Sequence, residues 1–181
     1  MSAGAITLLV EDQGWRKSRG LVTRLRRAAE AALAACRLKG KLTVLLSNDK
    51  KLQSLNHEFR GKNKPTNVLS FPAAGDDGYR GDIAIAYGVA RKEAEASSKR
   101  LSDHACHLVV HGVLHLAGYD HERAADAKIM EPLEVKILKQ LGIADPYGAP
   151  ARKSVKRSEA LPDAVARQLR PAVRPLNKVV A

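Results

Sequence analysis

HGVLHLAGYDH, residues 111–121, places three histidines in the spacing His-x3-His-x5-His. On a helix, His111 and His115 are one turn apart on the same face, so their two imidazoles can meet a single ion. Gly118 follows three residues after His115, and a glycine in the left-handed conformation commonly ends a helix with a sharp turn. That turn would bring His121 back to the same ion. The segment therefore predicts a helix that ends in a three-histidine transition-metal site.

Three neutral imidazoles leave the fourth tetrahedral position open, which is typical of catalytic and not of structural zinc sites. The same nitrogens would also accept nickel, copper or cobalt. The alternative is a group of core or solvated histidines, since five of the six histidines fall within residues 104–121. His107 lies about 12 Å along the helix from His115 at ~1.5 Å per residue, too far to share the ion. It is expected to support the site, to face the substrate or to lie on the surface, and His104 and His57 are given no role.

The histidine spacing equals that of the metzincin proteases, HExxHxxGxxH, including the glycine. The position after the first histidine differs, because Gly112 stands where those enzymes carry the glutamate that acts as general base. Peptide hydrolysis at such a zinc depends on that carboxylate. A protease is therefore the weakest of the functions considered.

Hydrophobic periodicity around this segment predicts the order β-α-β-α-β-β-α-α-α. This order indicates an α+β fold, an α/β-like sandwich in which a small mixed sheet packs against helices. In the second helix, Leu52, Leu55 and Phe59 are expected to face the core. Pro132 is expected to interrupt or kink the last helix. Strands are predicted at residues 6–10, 41–46, 68–71 and 82–87, and helices at 18–38 with a stop at Gly40, about 48–60, 89–99, 103–117 and 124–141.

Composition divides the chain into a domain, residues 1–147, and a tail, residues 148–181. Residues 149–181 hold eight Lys or Arg, two acids and four of the eight prolines, and are expected to be disordered. The net charge of +12, half of it in the tail, and the pI near 10 favour contact with RNA or DNA.

Two cysteines, Cys36 and Cys106, make no disulfide framework. No apolar run reaches the length of a signal core or a membrane span, so a cytoplasmic protein is expected, of undetermined oligomeric state.

Two long blocks of sequence resemble the YbeY family of rRNA-maturation endoribonucleases. The first is RGKNKPTNVLSFP, residues 60–72, with GDIAIAY from Gly81, and the second is residues 111–121 with MEPLEVKILKQLG downstream. The likeness covers roughly residues 1–147. It implies a single-strand-specific endoribonuclease that acts in 3′-end maturation of 16S rRNA, ribosome biogenesis and ribosome quality control. Its implied partners are rRNA and the ribosome or small ribosomal subunit.

The resemblance also assigns roles to individual residues. It implies one Zn²⁺ per chain, held by His111, His115 and His121, and a catalytic role for Arg60. The chemistry of these residues agrees, because a guanidinium binds phosphate oxygens bidentately and Arg60 opens a turn with two lysines. The alternative for Arg60 is a solvated cation at a helix end. The alternative for the whole protein is a ribosome-assembly binding factor with a structural zinc. Asp120 could orient a ligand histidine or cap the last helix, and Ser70 is given no role.

Overall fold

The computed structural model describes residues 5–74 and 78–148. The predicted tail, apart from its first residue, lies outside the described residues. The elements follow one another in the predicted order, with a short 3-10 helix after the first strand. They are β1 (Ile6–Val10), the 3-10 helix Gln13–Lys17, α1 (Leu21–Ala35), β2 (Lys41–Ser47), α2 (Asp49–Arg60), β3 (Val68–Pro72), β4 (Tyr79–Ala86), α3 (Tyr87–Ala96), α4 (Leu101–Leu116) and α5 (Ala124–Gln140).

The four strands form one mixed sheet in the order β1-β2-β4-β3. β1, β2 and β4 run parallel, whereas β3 pairs antiparallel with β4 at the edge. A short connection joins β3 to β4, while the parallel strands are joined through helices, as parallel pairing requires. The predicted α+β class with a small mixed sheet is confirmed. None of the helices among the described residues is long and apolar enough to cross a membrane.

Both faces of the sheet are covered, and alternation along the strands decides which residue faces which layer. In β4, Ile83 and Ile85 belong to the larger core, which the sheet shares with α1, α4 and α5. Ala84 and Ala86 belong to a smaller cluster with Leu52 of α2 on the other face. The helix carrying the histidines is thus packed against the sheet, with ten residues from Ala105 to Leu116 buried. The histidine-bearing end of α4 is therefore held by a rigid core.

The predicted end of α1 is wrong by several residues. α1 ends at Ala35, and Arg37 turns the chain with a positive φ of 52° while Leu38 N–H donates to the Leu33 carbonyl at 2.9 Å. Gly40 instead adopts a φ of 137° where β2 begins, and a Cβ there would lie 2.5 Å from the Gly78 carbonyl oxygen. Gly40 is therefore required by the close approach of the Gly78 backbone, and it does not end the helix as predicted.

Two further expectations about helices are corrected by the structure. Phe59, expected in the core, is 52% exposed, and Asn56 is buried in its place. The Asn56 side-chain amide donates to the Lys64 carbonyl at 2.8 Å, so this face of α2 holds the following loop and does not only cover the sheet. Of the two effects expected of Pro132, the interruption of α5 is wrong, because the helix runs from Ala124 to Gln140, while the kink stays a prediction. Pro132 is exposed, so water can satisfy the carbonyl that lacks its amide partner.

Candidate metal centre and its cleft

The end of α4 is built as the sequence predicts. Gly118 has a φ of 89°, its N–H donates to the His115 carbonyl at 3.0 Å, and Tyr119 N–H donates to the Leu114 carbonyl at 3.0 Å. This pair of bonds is a Schellman motif, with glycine in the left-handed position. The Asp120 carboxylate then accepts the His121 N–H at 2.7 Å and the Glu122 N–H at 3.2 Å. Asp120 therefore shapes the backbone of the third histidine, and it is not the cap of α5, which is Arg123.

The turn brings three imidazoles into one cluster. The ring centroids of His111, His115 and His121 are 4.5 to 5.0 Å apart in every pairing. One nitrogen from each ring lies within 4.8 Å of those of the other two. The Nε2 atoms of His111 and His115 are 3.0 Å apart. Tetrahedral zinc with Zn–N bonds of about 2.0–2.1 Å would separate two ligand nitrogens by about 3.3 Å, so the cluster is near the required size.

Hydrogen bonds fix the tautomers of two of these rings. His115 Nδ1 lies 2.9 Å from the Tyr119 carbonyl, and His111 Nδ1 lies 2.8 Å from Glu134 Oε1. Both partners can only accept, so each Nδ1 carries the proton and donates it. Burial, with the charges of His111 and His121, lowers the pKa of His115 to about 3, which keeps that ring neutral. With both Nδ1 atoms engaged, the Nε2 atoms of His111 and His115, 3.0 Å apart, are the ones placed to bind a shared cation.

His121 provides a second reason to place an ion here. Its Nε2 is buried and has no hydrogen-bond partner among the described residues. A buried polar atom left unpaired costs free energy of roughly 1–3 kcal/mol. Coordination to the ion that the other two histidines surround would remove this penalty. The three side chains therefore fit a borderline transition metal with nitrogen ligands, and their donors match the preferences of zinc.

Glu134 of α5 is the main site residue that the sequence analysis missed. Its side chain is fully buried, and Oε1 accepts the hydrogen bond from His111 Nδ1 while Oε2 accepts one from the Tyr147 hydroxyl. His107 Nε2 lies 3.8 Å from Oε1, beyond hydrogen-bonding distance. Burial raises the pKa of Glu134, but these contacts outweigh burial and lower it to about 2. Glu134 is therefore an ionised carboxylate behind a candidate ligand, as histidine ligands of metals usually have.

We expect Glu134→Gln to weaken metal binding by about 10- to 100-fold, the range seen when such carboxylate partners are changed. The amide keeps the size of the side chain but lacks the negative charge that holds the His111 Nδ1 proton in place. Titration of metal-stripped protein with zinc against a competing chelator gives the affinity. Glu30→Gln, an equal charge change at an exposed position on α1 outside the cleft lining, is the control and should bind zinc like the parent. Equal affinities for all three proteins would show that Glu134 has no influence on the metal.

Basic residues share a cleft of about 530 Å³ with this cluster. Its lining includes Arg60 at the end of α2, Lys62 and Lys64 in the following loop, and His111 and His121. The structure therefore brings the predicted Arg60 and two of the three predicted ligands to one surface, while His115 is 4% exposed beneath them. The lining also contains Asn67, His104 and Tyr147, to which the sequence analysis gave no role at the site, and His107, which it expected to support the site, to face the substrate or to lie on the surface.

His104, to which the sequence analysis gave no role, has a definite hydrogen-bond partner. Its Nε2 is 2.8 Å from Glu93 Oε2, and the Asn67 side-chain amide donates to the same carboxylate at 3.1 Å. The hydrogen bond from His104 is the largest influence on Glu93 and lowers its pKa. These contacts tie α3, α4 and the start of β3 together beside the cleft. The role of His104 on this geometry is structural.

Gly112 faces the sheet and not the cleft. A Cβ at this position would lie 2.8 Å from Ile83 Cγ2 and 2.9 Å from Ile83 Cδ1, closer than carbon atoms pack. Gly112 is buried, and its carbonyl accepts a weak hydrogen bond from the buried Ser70 hydroxyl at 3.4 Å. A glutamate here would point into the interface between α4 and β4. The position that carries the general base in metzincins therefore faces the core of this fold and not the cleft.

Gly112→Ala should lower the free energy of unfolding by about 1 kcal/mol. The added methyl group forces Ile83 or the helix to shift, and overpacking a core costs about 1–3 kcal/mol. The better helix propensity of alanine offsets up to about 1 kcal/mol of that cost. Urea denaturation of the parent, Gly112→Ala and Gly112→Ala/Ile83→Val measures the change, and the smaller Ile83→Val side chain should recover part of the loss. A Gly112→Ala protein as stable as the parent would show that the helix and sheet are not in such close contact.

The fold and the site together define a class of protein: an α+β domain with a candidate transition-metal centre of three histidines in a basic cleft. The family described as Endoribonuclease YbeY matches residues 11–142 of the chain. The chain is 45% identical over 149 residues to "Endoribonuclease YbeY" of Maricaulis maris (strain MCS10), covering 79% of this chain and 91% of that protein. It is 47% identical over 150 residues to the protein of that name from Rhodopseudomonas palustris (strain BisB18), covering 77% and 89%.

A solved structure agrees with the fold. The solution structure of TM1509 from Thermotoga maritima matches with a TM-score of 0.56 and 27% identity, covering 79% of this chain and 99% of that one. The chain belongs to the YbeY family, as the sequence resemblance implied.

Proposed function

We propose that this protein is a metal-dependent endoribonuclease that cleaves single-stranded RNA. The observation that carries the proposal is the shared cleft, in which a metal-type histidine cluster lies with Arg60, Lys62 and Lys64. Phosphodiester cleavage needs an activated nucleophile and positive groups that stabilise charge on the phosphate oxygens. The name of the relatives, Endoribonuclease YbeY, supports the same reaction.

Each residue has a distinct part in this proposal. His111, His115 and His121 would hold one zinc ion, which supplies Lewis acidity and activates water when bound. Glu134 and the Tyr119 carbonyl keep the Nδ1 protons of His111 and His115 in place, so that both Nε2 atoms remain free to bind. Arg60 binds the scissile phosphate through its guanidinium and stabilises the charge that develops there.

The lysines and the shape of the cleft favour a single strand. Lys62 and Lys64 provide further cations along the path of the RNA backbone. His111 has a side chain only 15% exposed, so the phosphate must enter the cleft to reach it. An unpaired strand can bend into such a depression, whereas a regular A-form duplex presents its phosphates on a stiff, wide surface.

The physiological substrate that we propose is 16S rRNA at its 3′ end, with roles in ribosome biogenesis and ribosome quality control. The net charge of +12 suits a protein that works on rRNA within the ribosome or small ribosomal subunit in the cytoplasm. We propose that the endoribonuclease domain spans residues 1–147 and that the basic residues 148–181 add phosphate contacts. Contacts of Tyr147 with Glu134 and His107 support a domain that extends at least to this residue.

A panel of substrates tests the reaction class. Purified protein should cleave single-stranded RNA, with much slower cleavage of duplex RNA and no cleavage of casein or model peptides. A chelator should abolish the RNA cleavage. Binding of rRNA without any chelator-sensitive cleavage would favour the alternative, a ribosome-assembly factor with a structural zinc. Chelator-sensitive peptide hydrolysis would overturn the proposal and the argument from Gly112.

A further inference from the structure

Tyr147 is an exposed aromatic side chain inside the cleft. Five large hydrophobic side chains are exposed among the described residues, and Tyr147 is the one of the five that lines the cleft. It is 48% exposed. The others are Leu9, Val22, Phe59 and Ile129. Single exposed apolar side chains are common on protein surfaces, so it is the position of Tyr147 inside the cleft, and not its exposure alone, that points to a ligand.

Several contacts fix the position of Tyr147. Its hydroxyl donates to the buried Glu134, and its backbone N–H donates to Asp145 Oδ1 at 2.8 Å. The carbonyl of the preceding Pro146 accepts a hydrogen bond from Lys99 Nζ at 2.8 Å. His107 packs edge to face with the ring, at 5.8 Å between centroids and 82° between planes. The ring is therefore held at its hydroxyl, its backbone and one side while nearly half of its surface stays accessible.

The surroundings of Tyr147 indicate what it would contact. Arg60, Lys62 and Lys64 line the same cleft and suit the phosphates of a nucleic acid. Proteins that bind single strands combine such a basic groove with aromatic side chains on which unpaired bases stack. Glu134 joins the Tyr147 hydroxyl to His111 through two hydrogen bonds, so a base on the ring would lie close to the phosphate at the histidine cluster. A ring that is already fixed loses little conformational entropy on binding.

We propose that Tyr147 is the stacking platform for one unpaired nucleobase of the RNA, next to the phosphate bound at Arg60 and the histidine cluster. Stacking uses the face of the base and tolerates every base, so this subsite favours an unpaired nucleotide and not a particular sequence. The subsite deepens the proposed function and rests on it, because the ligand is the same RNA. A duplex, with its bases stacked internally, cannot use this contact.

An abasic scan tests the subsite. Fluorescently labelled single-stranded RNA octamers would be prepared intact and with one abasic nucleotide at each position in turn. Their dissociation constants for the zinc-loaded full chain would be measured by anisotropy on ice, with intact RNA verified on a denaturing gel. The variants are Tyr147→Leu, which removes the ring, and Tyr147→Phe, which keeps the ring but lacks the hydroxyl. Zinc content is measured for each protein, so that an effect through Glu134 on the metal is seen separately.

For the parent we expect one abasic position to weaken binding by about 5- to 100-fold, the range for loss of a base–aromatic stack. Tyr147→Leu should bind the intact octamer more weakly by a similar factor, and the abasic nucleotide should then have little further effect. Tyr147→Phe should retain most of the position-specific loss. The same abasic penalty in Tyr147→Leu as in the parent would overturn the subsite, as would a parent without any penalised position.

The outcomes separate the subsite from the proposed function. Cleavage of the intact octamer is measured in parallel at a higher temperature. Chelator-sensitive cleavage without a Tyr147-dependent abasic penalty would contradict the subsite alone. A Tyr147-dependent penalty in a protein that does not cleave would support the subsite and contradict the nuclease. An octamer that does not bind at all would overturn both.

Discussion

Arg60→Ala should lower the rate of RNA cleavage by two or more orders of magnitude, while the protein keeps its zinc and its thermal midpoint. Removing one preorganised group that stabilises developing charge typically costs roughly 2.7–4 kcal/mol in the transition state. Arg60 is the last residue of α2, partly exposed, and lines the cleft beside the histidine cluster. Its side chain is not in the core, so its removal should cost little stability. The measurement is kcat/KM on a single-stranded RNA, with zinc content and melting temperature of the same preparation.

Lys51→Ala is the matched control for Arg60→Ala. Lys51 is an exposed cation on the same helix and is not part of the cleft lining, so this variant tests the loss of one positive charge from α2. It should affect cleavage by no more than the small change in long-range attraction of the RNA, which salt screens. Equal losses of cleavage rate in the two variants would show that Arg60 acts only as one of many positive charges on a basic surface. An Arg60→Ala protein that unfolds or loses zinc would give Arg60 a structural role instead.

His115→Ala should abolish metal binding. His115 is the most buried of the three histidines, and its Nε2 is 3.0 Å from that of His111. Without it, two imidazoles remain, which is fewer than the three protein ligands of catalytic zinc sites. Elemental analysis should find about one zinc per chain in the parent and almost none in His115→Ala. His57→Ala, at an exposed position on α2, should keep the full content.

Thermal unfolding provides an independent reading of the same substitution. A ligand that binds the folded state raises its stability by RT ln(1 + [L]/Kd), so a chelator should lower the melting temperature of the parent. The same chelator should leave the melting temperature of His115→Ala unchanged, because this variant holds no zinc to lose. Equal zinc contents in His115→Ala and the parent would place the metal elsewhere in the chain.

The features that could be predicted from the sequence are those that depend on interactions between residues close together in the chain. The three-histidine cluster was predictable because helical spacing and one glycine turn bring the rings together, and φ at Gly118 confirms that turn. The order of the elements was predictable from hydrophobic periodicity, and that order indicated the small mixed sheet that the structure has. The family resemblance placed Arg60 near the site, and the structure shows both in one cleft.

The features that could not be predicted depend on contacts between distant segments. Glu134 lies 23 residues after His111 on another helix, and nothing in the spacing of either residue links them. One signal was present, because Glu134 lies on the same face of α5 as the buried Met130, Ile137 and Leu138. A carboxylate on a buried face requires a partner. Hydrophobic periodicity likewise could not show that Asn56 is buried and Phe59 exposed, since the burial of Asn56 depends on the loop to which its side chain donates a hydrogen bond.

The central claim is that this histidine cluster binds the metal on which RNA cleavage depends. The most direct test is the cleavage rate of one single-stranded RNA by parent and His115→Ala proteins purified side by side, each before chelation, after chelation and after return of one equivalent of zinc. We predict that the parent loses its activity with the chelator and regains it with zinc, and that His115→Ala is inactive in all three states. Equal cleavage by His115→Ala and the parent, or cleavage by the parent that survives complete removal of metal, would contradict the claim.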